Sequence, residues 1–121
     1  MPWPVLFHVA FVEEFQDFRQ SVQDEIAATA ELLAVIGPAL KRPHADTLKG
    51  SRFANMKELR FDADDGVWRL AYAFDPERKA ILLVAGDKSG TSSARFYKTL
   101  ITKADPRFAG HLDTMKKRTK K

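Results

Sequence analysis

Cationic side chains recur in this chain at positions where they are costly. Lys49, Lys57, Arg60, Arg69 and Lys88 all fall within residues 48–90, a stretch that otherwise reads as β-strand and turn. Arg60 and Arg69 carry the most information. If the runs that hold them pair as a hairpin, the two arginines stand directly opposite each other. Like charges so placed repel unless carboxylates or a bound anion offset them. Glu58 is the nearest internal partner. Lys49, beside a glycine, and Lys88, at the end of the next strand, can converge on the same edge. A phosphate held among several cations suits such a cluster.

The same cluster can do chemistry on RNA, which carries its own nucleophile in the 2′-hydroxyl. A protein need only take that proton, stabilise the charged phosphorane and return a proton to the leaving 5′-oxygen. Arginines serve the second role. A lysine whose pKa is lowered by neighbouring cations, or a tyrosine, can serve the others. Tyr97, on a predicted helix after Lys88, is a candidate base or stacking platform, set against the plainer reading of a half-buried helical tyrosine. No metal or cofactor is expected. There is no cysteine, and His8, His44 and His111 lack ligand spacing and read as structural or surface groups. Asp62, Asp64 and Asp65 lack the rest of a calcium loop and read as a turn. The run 86–90 lacks the Gly-Lys-Ser/Thr order of a phosphate loop.

The elements that must position these groups follow from periodicity. Residues 5–11 are β-rich after two prolines and predict a first strand. Phe15, Phe18, Val22 and Ile26, then Ala30, Leu33 and Ile36, form a helical stripe ending at Gly37-Pro38, as one helix or as a hairpin broken near Ser21. Residues 37–56 read as loop. Residues 56–61 and 67–74 flank the Asp65-Gly66 turn signal. Pairing Phe61 with Trp68 sets Leu59 opposite Leu70 and Lys57 opposite Tyr72 on a nearly apolar face. It sets Arg60 opposite Arg69 on the other face, beside Glu58, Ala71 and Ala73. A slip of one residue would scatter both sets. The small Ala71 and Ala73 predict that this second face is left open for a ligand. Residues 80–85, apolar on both faces, predict a central strand. A helix capped by Ser92 or Ser93 carries Phe96, Leu100 and Ile101, and Asp105-Pro106 is expected to start a last helix.

Composition bounds the class. At 121 residues with 45% hydrophobic content the chain makes one domain, expected over residues 1–114, with a frayed basic tail at 115–121. No run of about 18 apolar residues exists, so no membrane span is expected. The lack of cysteine and of a secretion signal fits a cytoplasmic chain. The net charge of +4 conceals an asymmetry: residues 1–40 hold one basic and six acidic residues, while the tail alone holds five basic ones. An acidic helical front and a basic sheet region point to a polyanion partner better than the pI does.

The succession Leu48-Lys49-Gly50, Met56-Lys57-Glu58-Leu59-Arg60, Val67-Trp68-Arg69-Leu70-Ala71-Tyr72, Leu83-Val84-Ala85-Gly86-Asp87-Lys88 and Arg95-Phe96-Tyr97 resembles the RelE/HigB superfamily, and more closely its phage-derived branch. The resemblance is specific from Leu48 to Tyr97 and loose in the helical front. It implies an α+β, RelE-like fold: a twisted, mainly antiparallel sheet of about four strands, an N-terminal helix or helical hairpin on one side, and one or two C-terminal helices. It also implies the toxin of a type II toxin–antitoxin module, which cleaves mRNA in the ribosomal A site and is silenced by a cognate antitoxin, expected to be a helix-turn-helix protein. By position, Arg60 and Arg69 match the family's phosphate-binding arginines, Lys49 and Lys57 its basic residues near the second strand, and Tyr97 its C-terminal tyrosine. Lys88 stands where RelE-type toxins have an arginine, and so lacks the planar fork. The histidines of some HigB toxins are unmatched. The expected catalytic set is Arg60, Arg69, Lys88, Tyr97 and Lys57, with Lys49, Arg52, Arg95 and Lys98 contacting RNA. Two alternatives remain: a non-enzymatic toxin of the ParE branch, which shares the fold and inhibits DNA gyrase but which the retention of Arg60, Arg69, Lys88 and Tyr97 argues against, and an RNA-binding protein without catalysis.

Overall fold

The hairpin that carries the two arginines closes through a two-residue turn. Asp64 and Asp65 both adopt positive φ (54° and 61°), the primed geometry whose twist matches the flanking strands. In a computed structural model of the chain, which describes residues 2–119, these strands belong to a five-stranded mixed sheet in the order β1-β5-β4-β3-β2. The strands are β1 (Val5–Phe7), β2 (Ala45–Thr47), β3 (Lys57–Ala63), β4 (Gly66–Phe74) and β5 (Ala80–Asp87). The helices are α1 (Val9–Gln16), α2 (Gln20–Ile36) and α3 (Ser93–Thr119), with a short 3-10 turn at Gly37–Ala39. The β3–β4 register is the one the pattern requires: Phe61 opposite Trp68, Arg60 opposite Arg69, Lys57 opposite Tyr72.

Four details differ from the sequence expectation, each for a physical reason. The first strand stops at Phe7, because His8 caps a helix through Nδ1, which accepts from the Ala10 amide at 3.1 Å. Phe7 then stacks on Phe11 at 5.4 Å and meets Phe15 edge-on at 5.1 Å, a helical spacing that outweighs β-propensity. The fifth strand, β2, lies within the stretch read as loop; its three residues are too few to show a period. The helical front takes the hairpin alternative, with its break at Asp17–Arg19 rather than near Ser21, where the Gln23 side chain donates to the carbonyls of Phe15 and Phe18.

The fourth difference is α3, one continuous helix through Pro106. Phe96, Leu100, Ala104, Phe108, Leu112 and Met115 recur on its sheet-facing side, and this packing outweighs the loss of one backbone hydrogen bond at the proline. Asp105 is no cap. Its carboxylate accepts from Ser51 Oγ at 2.5 Å and the Arg52 amide at 3.0 Å, clamping the 50–53 loop to the helix. The helix also takes in residues 115–119 of the expected tail; Lys120 and Lys121 lie outside the described residues.

Helices therefore pack on both faces of the sheet, α3 over β4 and β5 only. The α1–α2 hairpin buries Phe11, Val22, Ile26 and Leu33 against Leu59, Leu70, Tyr72 and Leu82. On the other side α3 packs on Ala71, Ala73, Ile81 and Leu83. Ala71 and Ala73 are fully buried, so their small size admits a helix rather than a ligand. Ala73→Leu is accordingly expected to destabilise the fold by about 1–3 kcal/mol through overpacking, read as a lower urea midpoint; an open face would have tolerated it. The N-terminal end of α3 approaches β5 closely, since a Cβ at Gly86 would come within 3.1 Å of the Phe96 ring. At the far end, Arg107 joins the layers by a two-pronged bond to Glu14 (2.8 and 2.6 Å) and a third to the Leu83 carbonyl (2.7 Å).

Candidate functional site

Beyond the first turns of α3, the sheet face over β3 and β2 opens into a cleft of about 380 Å³. Register sets its floor. Asp46, Glu58, Ala71 and Val84 form one cross-strand row, and Arg60, Arg69 and Gly86 form the next. Two carboxylates thus lie diagonal to two guanidiniums, which offsets the repulsion between directly opposed arginines. Glu58 is buried, and its Oε2 accepts from Arg60 Nη1 at 2.7 Å. Arg69 is buried as well. Its Nη1 donates to the Trp68 carbonyl at 2.9 Å, and its Nε stands 3.9 Å from Glu58 Oε1.

Two further elements close the site. Asp87 accepts from the amides of Val67 and Ser89 and from Ser89 Oγ, an arrangement that depresses its pKa and fixes the turn after β5. That turn carries Lys88, whose amide donates to the Val67 carbonyl and whose Nζ lies 5.7 Å from the centroid of the Tyr97 ring. Tyr97, on the second turn of α3, is half-buried. Burial pushes its hydroxyl pKa up, the Glu58 carboxylate pushes it further, and Arg69 opposes. The phenol is therefore protonated at neutral pH.

Of the residues singled out from sequence, Arg60, Lys88, Tyr97 and Lys49 line the cleft, and Arg69 sits behind Glu58 at its base. Lys57 does not join them. Strand alternation turns it to the opposite face, where its Nζ donates to the Pro38 carbonyl at 3.3 Å. Arg52 lies against Phe53 on the loop clamped by Asp105, and Arg95 and Lys98 are exposed on α3; none of the three lines the cleft. Sequence reasoning missed Arg42, Asp46 and Thr47 on the far wall. Arg42 Nε bonds Asp46 at 2.9 Å, and that bond is the first cause holding the Asp46 carboxyl below its usual range. The four-residue spacing of this pair was the available signal. The lining groups comprise four cations (Arg42, Lys49, Arg60, Lys88) against two carboxylates, so the cleft suits a phosphodiester.

The profile described as "Phage derived protein Gp49-like" matches residues 13–109. The putative toxin HigB3 of Mycobacterium tuberculosis is 45% identical over 93 residues, 77% of this chain and 79% of its own length. The putative toxin HigB2 of the same organism is 45% identical over 101 residues, 79% of this chain; the match spans 50% of that longer protein. Among solved structures, a mutant of the Escherichia coli toxin RelE in the free state superposes with a TM-score of 0.57, covering 85% of this chain and 97% of that one. At 13% identity that likeness establishes the α+β, RelE-like fold alone. The profile match and the two HigB identities together place the chain in the Gp49-like family of phage-derived proteins, among the HigB-like toxins.

Proposed function

We propose that this toxin is an endoribonuclease that cuts mRNA on the ribosome, in the cytoplasm, until a cognate antitoxin, expected to be a helix-turn-helix protein, neutralises it. One observation carries the reading: Arg60, Arg69, Lys88 and Tyr97 gather around an open, net cationic cleft. The 2′-hydroxyl gives its proton to solvent as its oxygen attacks the adjacent phosphorus and the bond to the 5′-oxygen breaks; that oxygen takes up a proton, leaving a 2′,3′-cyclic phosphate and a free 5′-hydroxyl. The nucleophile belongs to the RNA, so the step needs no metal. Arg60 and Lys88 meet the phosphoryl oxygens, with Arg69 reinforcing the positive field from below. Tyr97, protonated at neutral pH, is suited to donating to the leaving oxygen or to stacking on a base. Lys49 and Arg42 extend the cationic wall along the backbone path.

Primer extension on mRNA engaged with purified ribosomes tests this. The expected result is toxin-dependent 5′ ends within the translated frame, absent when the antitoxin is added first. Inhibition of DNA gyrase supercoiling without any cleavage would replace this reading with the gyrase-directed one. Retention of mRNA without new ends would replace it with binding alone.

A further inference from the structure

Glu58 differs from every other group around the cleft. It is a carboxylate only 4% exposed, set in the middle of a site built to attract anions. A charge so buried is tolerated only when its neighbours satisfy it. Oε2 is satisfied by Arg60 Nη1 at 2.7 Å, a charge-assisted length. Oε1 is not: it and Arg69 Nε face each other at 3.9 Å, and neither completes a hydrogen bond. The Tyr97 hydroxyl feels the same carboxylate and the same guanidinium. Two guanidiniums in one cross-strand pair have no reason to stay aligned in a free protein, and the carboxylate one register step away supplies it.

We infer that Glu58 is a positioning residue of the cleft: it holds Arg60 and Arg69 side by side with Tyr97 against them, so that an anion site exists before RNA arrives. This rests on the ribonuclease reading and adds to it. Glu58 lies at the floor of the cleft, bonded to Arg60 and with Arg69 behind it, and as an anion among cations it acts on cleavage through them. The contact with Arg69 is half made, so that guanidinium is held by its 2.9 Å bond to the Trp68 carbonyl and by the charge of Glu58 in front of it.

The test uses Glu58→Gln, which keeps the shape and removes the charge, beside Glu58→Asp, which keeps the charge on a shorter arm. Cleavage of ribosome-bound mRNA is expected to fall about 10²-fold in the Gln variant, mainly in kcat, and to recover in part in the Asp variant. A second readout does not depend on RNA. The chain has two tyrosines, and burial holds the Tyr72 hydroxyl far above the accessible range, so phenolate absorbance reports Tyr97. Its midpoint is expected to fall in Glu58→Gln, because the carboxylate no longer opposes the phenolate while Arg69 still favours it; Tyr97→Phe removes the signal and confirms its source. If wild-type protein cuts no mRNA, the ribonuclease reading fails, and the tyrosine titration still decides whether Glu58 organises the cluster. A wild-type rate in Glu58→Gln, an unmoved Tyr97 midpoint, or equal rates in the Gln and Asp variants would each overturn the positioning role. Should Glu58→Gln fold poorly, the Asp variant's rate and midpoint against wild type decide alone.

Discussion

Arg69→Ala is expected to lower mRNA cleavage on the ribosome about 10²-fold, because it removes a buried charge that supports Glu58 and Arg60 and the positive field beneath a developing anionic transition state. The effect is large because Arg69 cannot be replaced by a solvent cation. Its side chain is 7% exposed and lies between the Trp68 carbonyl and Glu58, in a place that water reaches poorly. A stability loss accompanies it. Removing one partner of a buried pair generally costs about 3–5 kcal/mol. Here Glu58 keeps its 2.7 Å bond to Arg60, and the Arg69 contact at 3.9 Å is no hydrogen bond, so about 1–3 kcal/mol is expected. Thermal melting separates the two effects, with the rate measured well below the midpoint. Arg69→Lys should restore more stability than rate, since an ammonium brings charge without the planar fork. Undiminished cleavage by the alanine variant would remove Arg69 from the mechanism.

Much of this geometry was legible in the residues, and the failures are instructive. The β3–β4 register was readable because only one pairing collects Leu59, Leu70, Phe61 and Trp68 on one side. That register also carried the answer for Lys57. Sharing parity with Leu59, it had to point away from Arg60, and likeness to a family cannot override alternation. Ala71 and Ala73 were ambiguous in principle, because a small side chain permits either a ligand or a closely packed helix. Only the length of α3 decides between them. Strand β2 was illegible for a different reason. Three residues make no period, and Ala45–Thr47 is held as a strand by pairing with Leu59, Glu58 and Lys57, a fact of tertiary structure. Asp46 and Arg42 were lost with it. Asp105-Pro106 has the form of a helix start, yet the apolar stripe continues through it at the same angle.

Phe108→Ala is expected to be among the most damaging truncations in α3, at about 3–5 kcal/mol, or a melting midpoint lower by about 10–20 °C for a domain of this size. Phe108 is 2% exposed and packs with the layer of Ala73, Ile81 and Leu83. Its ring meets Phe53 edge-on at 5.0 Å and stacks on His111 at 6.3 Å. His111 in turn bonds the buried Asp75 at 2.8 Å, so one cavity would loosen three contacts. Pro106 has already removed a backbone hydrogen bond two residues earlier, which leaves side-chain packing to hold this half of the helix. The consequence for function differs in kind from that at Arg69. Phe96 and Tyr97 sit at the opposite end of α3, so well below its midpoint the Phe108→Ala protein should cleave within about threefold of wild type, and its loss of activity on warming should follow unfolding. Phe108→Leu should recover most of the stability. A cost below about 1 kcal/mol would mean that the helix is held to the sheet from its N-terminal half alone.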